Sequence, residues 1–280
     1  MDRKRQILMA WLAAAMLAAP ASAAIHYQAT TDTSGDGQKM QMVVEGWVDG
    51  GNAKVEFKDS DNPLMGDGTY LITKDGAKTL LLVNPKEKTY AVFDVSAMIG
   101  MAGAMMSSMG SMLKMEVVDP KVETVVDEDG GAVLGLPTRH LRFQHSYTLQ
   151  VKVLGMSQVS EVEQVQDVWV TNAIRDPGLG AWLRTSPPKT GVESLDKLIA
   201  MQAGKIEGFP LKTEAVSTTR SDKGKAMTTR TTMVVTQLDA DAAAPPASTF
   251  EVPAGYQATE LLPMGEGNPF ESLMKEKGRP

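Results

Sequence analysis

Leu141-Arg142-Phe143-Gln144-His145-Ser146-Tyr147-Thr148-Leu149-Gln150-Val151-Lys152-Val153 alternates without a break. Leu141, Phe143, His145, Tyr147, Leu149, Val151 and Val153 fall on one side; Arg142, Gln144, Ser146, Thr148, Gln150 and Lys152 fall on the other. Side chains along a strand point to alternate faces, so this stretch predicts a β-strand with one dry and one wet face. Its thirteen residues exceed the usual strand length of about five or six, which suits a strongly curved sheet.

Strand signals continue on both sides of it. From Ile25 to Asp94 the chain is cut by Gly35-Asp36-Gly37, Asp49-Gly50-Gly51-Asn52, Asp75-Gly76 and Asn84-Pro85, the turn chemistry that joins antiparallel neighbours. Lys54-Val55-Glu56-Phe57-Lys58 repeats the dry and wet alternation. Further strands are predicted over Val117 to Val126, Gln164 to Val170, Leu211 to Thr219 and Ala226 to Leu238, the last two around the turn Ser221-Asp222-Lys223-Gly224. Between Asp176 and Lys205 the pattern turns helical, with Leu195, Leu198 and Met201 at intervals of three. The Ala- and Pro-rich stretch Asp239 to Ser248 reads as a linker. No internal repeat stands out along the chain. The count is about ten or eleven strands with no alternation of strand and helix. The expected fold is mainly β (α+β): a large curved antiparallel sheet with helices packed on its concave face.

A second rhythm stands apart. Met98, Met101, Met105, Met109 and Met112 recur at helical spacing, and no charged residue occurs between Asp94 and Lys114. This predicts a helix with five thioethers on one face and Gly100, Gly103, Ser107, Gly110 and Ser111 opposite. Glycine weakens a helix by about 1 kcal/mol per residue relative to alanine. The element therefore needs an apolar surface to lean on, and methionine suits surfaces that adapt to more than one shape.

At the start of the chain, Arg3, Lys4 and Arg5 precede the apolar run Ile7 to Ala19, followed by Pro20 and the small residues Ala21-Ser22-Ala23-Ala24. This is the pattern of a secretory signal peptide over residues 1–23. A single domain over 24–257 and a flexible tail over 258–280 are expected to follow. Export, no cysteine and no later apolar stretch long enough to span a bilayer point to the periplasm. Removing residues 1–23 takes away Asp2 and the three bases, so the net charge of −6 becomes −8. So acidic a chain is not expected to bind nucleic acid.

Several landmarks resemble a known family. Thr69-Tyr70-Leu71-Ile72-Thr73-Lys74-Asp75-Gly76, then Leu80-Leu81-Leu82-Val83-Asn84-Pro85 and Lys88-Thr89-Tyr90 ahead of the methionine stripe, look like an uncharacterised family of exported bacterial proteins. Gly208-Phe209-Pro210-Leu211 and Phe250-Glu251-Val252-Pro253-Ala254-Gly255-Tyr256 are similar to its later landmarks. The resemblance implies the half-barrel fold of the outer-membrane lipoprotein carriers, with a concave apolar cavity able to hold acyl chains. It carries over no catalytic or binding residue.

Enzyme motifs do not assemble. Ser60-Asp61-Asn62, Ser111-Met112-Leu113-Lys114 and Lys189-Thr190-Gly191 match strings of the serine β-lactamases, but the first two stand in the wrong order. Asp32-Thr33-Ser34-Gly35-Asp36-Gly37 opens like a calcium loop, yet Val43 stands where the bidentate glutamate is required, so a hairpin turn is expected. Asp59, Asp61 and Asp67 read as a solvated loop. His140 and His145 differ by an odd number on one strand and point to opposite faces, so they cannot share a metal.

The residues support three readings. In the first, a noncatalytic periplasmic binding protein holds an apolar ligand, a lipid or acylated peptide, under the methionine helix, using Met98, Met101, Met105, Met109, Met112, Phe143, His145, Tyr147 and Leu149, with no cofactor. In the second, a copper-binding protein uses Met101, Met105 and an N-terminal Ala24-Ile25-His26, whose amine, amides and imidazole suit square-planar Cu(II). In the third, an envelope protein recognises a partner through a sheet edge or acts as a sensor.

Overall fold

The computed structural model describes residues 24–62, 65–76, 79–92, 113–153, 156–174, 193–202, 205–222 and 224–260. The signal segment, the methionine stripe Met98 to Met112, the first part of the helical stretch after Asp176 and the chain after residue 260 lie outside them.

Among the described residues, twelve strands form one open, curved sheet. In chain order they are β1 (Ala24–Gly35), β2 (Gln38–Asp49), β3 (Asn52–Ser60), β4 (Tyr70–Thr73), β5 (Leu81–Asn84), β6 (Thr89–Val92), β7 (Leu113–Val133), β8 (Leu136–Val153), β9 (Met156–Thr171), β10 (Phe209–Ser221), β11 (Ala226–Ala242) and β12 (Gln257–Ala258). The spatial order is β12-β6-β5-β4-β3-β2-β1-β11-β10-β9-β8-β7. Every pairing is antiparallel except that of β12 with β6.

Local sequence explains the hairpins. Asp36 and Gly37 both have positive φ, at 50° and 81°, and close the Gly35 to Gln38 pair of β1 and β2. That two-residue geometry matches the twist of the strands it joins. The same device recurs at Gly50-Gly51 between β2 and β3, and at Leu134-Gly135 between β7 and β8. The calcium-like segment from Asp32 is thus the end of β1 and its hairpin.

Alternation decides which face is dry. Ile25, Tyr27 and Ala29 on β1, Val48 on β2, Leu211 on β10 and Val235 on β11 join one buried cluster, closed by Ile174 and Phe209. Leu141, Phe143, Val168 and Val170 form the next, with Ile206 against it. We call this the inner face. Tyr27 lies directly over Gly46, where an added Cβ would stand 2.2 Å from the ring; only a residue without a side chain fits there.

One α-helix occurs among the described residues, α1 (Glu193–Gln202), besides a single 3-10 turn at Ala247–Phe250. Its Leu198 and Met201 pack on Val117, Val122, Tyr147 and Leu149, and Ser194 Oγ accepts a hydrogen bond from the Val117 amide at 3.0 Å. Of the helices expected on the concave face, the described residues contain only α1, at the β7–β8 end, and the methionine stripe lies outside them. The expected linker from Asp239 is also corrected. β11 runs to Ala242, which pairs with Ala24 and is buried, because the ladder with β1 satisfies its backbone.

The described residues already hold twelve strands against the expected ten or eleven, and Gln257–Ala258, straddling the start of the expected tail, forms β12 on β6. The stretch between these last strands folds over the far face. Val252 and Tyr256 pack on Tyr70, Ile72 and Val83, while Leu71 and Leu82 face the inner side with Phe57. Being covered on both faces explains why β4 and β5 are continuously apolar rather than alternating.

Candidate ligand-binding face

β8 carries four of the expected site residues inward. Phe143 is buried among Leu141, Val168 and Val170. His145, two positions on, is buried opposite Val122 and Gln164. Tyr147 and Leu149 are half-buried against Val117, Leu198 and Met201. Burial, and to a lesser degree the charge of Lys205, holds the His145 imidazole below its ordinary pKa; burial pushes the Tyr147 phenol up. Lys205 Nζ itself donates to the Val122 carbonyl at 3.1 Å. Phe143, His145, Tyr147 and Leu149 thus form one inward column, as their spacing predicts.

His26 is placed differently from the copper reading. Its backbone lies in β1 between β2 and β11, its ring stacks on Trp47 at 3.9 Å between centroids, and its Nε2 is 2.8 Å from Glu45 Oε1. A square-planar set built on Ala24, Ile25 and His26 would have to strip this end of β1 from its ladder. Met101 and Met105 lie outside the described residues. Among the described residues no group of three or more His, Asp or Glu side chains is arranged to hold a metal ion. Asp61 and Asp67 accept hydrogen bonds from the Gln41 and Ser60 amides.

The outer face carries an arrangement the sequence reading missed. His26 stands directly across from Trp47, Trp47 from Lys54, and on its other side His26 from Asp239. Four strands further along the sheet the same row recurs: Glu128, His140, Trp169 and Lys212 face one another across β7, β8, β9 and β10. One register step away, a carboxylate holds each histidine. His140 Nε2 is 2.6 Å from Asp167 Oδ1, which also accepts from Arg142 Nε at 2.8 Å, and His140 stacks on Trp169 at 4.5 Å. Lys212 lies 4.3 Å from the centre of the Trp169 ring and pairs with Glu214. In the first row Lys54 pairs with Glu56 and lies over the Tyr70 ring instead.

These groups occupy one another. Burial raises the Asp167 pKa, but hydrogen bonds from Arg142 and His140 outweigh it and hold the carboxyl below its ordinary value. Glu45 is lowered first by its bond to His26 and then by Lys58. Stacking and cation–π contacts of this kind each contribute about 0.5–1.5 kcal/mol. The rows therefore read as clamps on the wet face, and the inner face is the one with surface to offer. The signal in the sequence was faint: Glu45-Gly46-Trp47 against Asp167-Val168-Trp169, and Lys54-Val55-Glu56 against Lys212-Thr213-Glu214.

Residues 155–256 match the family model described as "Domain of unknown function (DUF4412)". The landmarks at Gly208 to Leu211 and Phe250 to Tyr256 fall inside that span, and those from Thr69 to Tyr90 outside it. No curated protein matches the chain. Among solved structures, a LolA superfamily protein from Nitrosomonas europaea is 9% identical, with a TM-score of 0.30 over 82% of this chain and 90% of that one. A DUF1329 family protein from Desulfovibrio piger is 11% identical, with a TM-score of 0.31 over 83% and 91%. No helix among the described residues is long and apolar enough to cross a membrane.

Proposed function

We propose that this chain is a noncatalytic periplasmic binding protein that holds an apolar ligand, a lipid or an acylated peptide, against the inner face of its sheet. The supporting observation is the state of that face. Met42, Val44, Met233, Tyr147 and Leu149 point inward yet stay half-buried around the fully buried clusters. Apolar surface left partly wet gains about 25 cal/mol for each Å² that a ligand covers. An open sheet can admit such a ligand along its length, and the adaptable methionine stripe from Met98 to Met112 would supply apolar surface against it.

Native mass spectrometry of the protein purified from the periplasm of its own host tests this, with a denatured run of the same sample as reference. The expected result is an adduct of lipid or acyl-peptide mass that disappears on denaturation. Met105→Asp should abolish the adduct while the circular dichroism of the sheet is unchanged. A bare chain, or an adduct of copper mass, would overturn the reading.

A further inference from the structure

The inner face is not uniformly apolar. Following the register away from the buried end at Ile25, Leu211 and Val235, the inward positions change character within two steps. One row across the sheet reads Thr33, Thr231, Ala215, Gln166 and Phe143; the next reads Gly35, Thr229, Ser217, Gln164 and His145. Beyond them Met227, Val162 and Tyr147 restore apolar character, with Thr219 between the first two. The side chains of Thr33 and Thr231 meet at 3.2 Å, and Gln164, Gln166 and Ser217 are half-buried.

Neither row contains Asp, Glu, Lys or Arg. The charges of these strands, Glu163 paired with Arg220 and Glu214 paired with Lys212, occupy the outward positions. Among the described residues, Lys205 is a cation whose charge reaches His145, and its ammonium is bonded to the Val122 carbonyl.

We propose that the ligand is an amphiphile with an uncharged, hydroxyl- or amide-bearing head group, seated with its head on this band and its chain on the apolar surface beside it. The inference rests on the binding function proposed above and names its ligand class. Hydroxyls and carboxamides exchange hydrogen bonds with such a head at little net cost. An ionic head drawn into the same place would lose hydration and meet no opposing charge in either row, which is costly.

The test is displacement of the apolar fluorophore N-phenyl-1-naphthylamine by three amphiphiles sharing one dodecyl-length chain: monododecanoylglycerol, dodecanoate and dodecyltrimethylammonium, each below its micelle threshold at neutral pH. The glycerol ester is expected to displace the dye at concentrations about tenfold lower than either ion, equivalent to about 1.4 kcal/mol. Gln164→Leu with Gln166→Leu should erase that preference while dye binding persists, and the isosteric Thr231→Val should weaken it with the least disturbance of the strands. Equal displacement by all three overturns the head-group inference and leaves the binding function standing. Preference for dodecanoate also overturns it, and points to Lys205 as an anion partner. Failure to bind the dye at all overturns both.

Discussion

The two outer rows, Asp239-His26-Trp47-Lys54 and Glu128-His140-Trp169-Lys212, use the same residue types at the same registers of adjacent four-strand blocks, yet they are not equally sheltered. The second row keeps His140 and Asp167 at 13% and 12% side-chain exposure, against 27% and 24% for His26 and Glu45. Asp167 is shorter than Glu45 and shares one oxygen between His140 and Arg142. Glu45 reaches outward and splits its carboxylate between His26 and the exposed Lys58. Their difference teaches that shelter from water, more than residue type, sets what such a cluster contributes. Exposed ion pairs contribute about 0–1 kcal/mol, whereas removing one partner of a buried pair strands the other.

A glycine stands next to each row in sequence or space, Gly46 backed by the inner-face Tyr27 and Gly130 against His140 and Trp169, and filling these two should separate the blocks most severely. An alanine Cβ at position 46 would stand 2.2 Å from two carbons of the Tyr27 ring. Gly46→Ala should cost about 3 kcal/mol in urea unfolding, at the top of the range for overpacking. At Gly130 the neighbours are Thr138 Oγ1 at 2.6 Å, with the His140 amide nitrogen and Trp169 Cδ1 at 2.9 Å. β7 is the sheet edge and can yield, so Gly130→Ala should cost about 1–2 kcal/mol. A larger loss at 130 than at 46 would reverse this ranking.

Removing the stacked rings sharpens the contrast. Trp169→Leu loses both the His140 stack and the Lys212 contact, and about 2 kcal/mol of stability is expected to go with them; Trp47→Leu, with one stack, should lose about 1 kcal/mol. Equal losses would mean that shelter does not distinguish the rows.

The smallest effect is a pH signature that separates the two faces of β8. The Asp167 carboxyl is held below its ordinary 3.8, so its contribution is complete above that pH and is lost as pH falls towards its folded value. The His145 imidazole is held below its ordinary 6.5 by burial. The unfolded chain therefore takes up a proton first, and stability falls as pH drops below about 6.5. Thermal melts across this range should show the His145 decline before the Asp167 decline. His145→Gln should flatten the first and leave the second, and Asp167→Asn should do the reverse. A His145→Gln profile identical to the parent would show that this histidine does not carry the near-neutral slope.

Much of this architecture was legible residue by residue. Period-two alternation marked β8 and its inward column, and paired turn residues at positive φ marked the hairpins, because both depend on neighbours in sequence. The polarity of Leu198 and Met201 marked the buried side of α1. Boundaries were less legible. β7, β9, β10 and β11 all extend beyond the stretches predicted for them, since a strand that already has a partner continues through residues of poor intrinsic preference.

What the sequence by itself determined, then, is the class of structure and the inward sets of β3 and β8, all consequences of spacing along one chain. Only the tertiary structure decided that β1 pairs with β11, that the segment around Val252 and Tyr256 covers β4 and β5, that two distant quartets form matching rows, and that Thr33, Thr231, Gln164 and Gln166 lie in one polar band. These are matters of register between segments up to about two hundred residues apart. Register is set by the summed fit of whole faces rather than by any local signal, and a shift of one residue would send every one of these side chains to the opposite face.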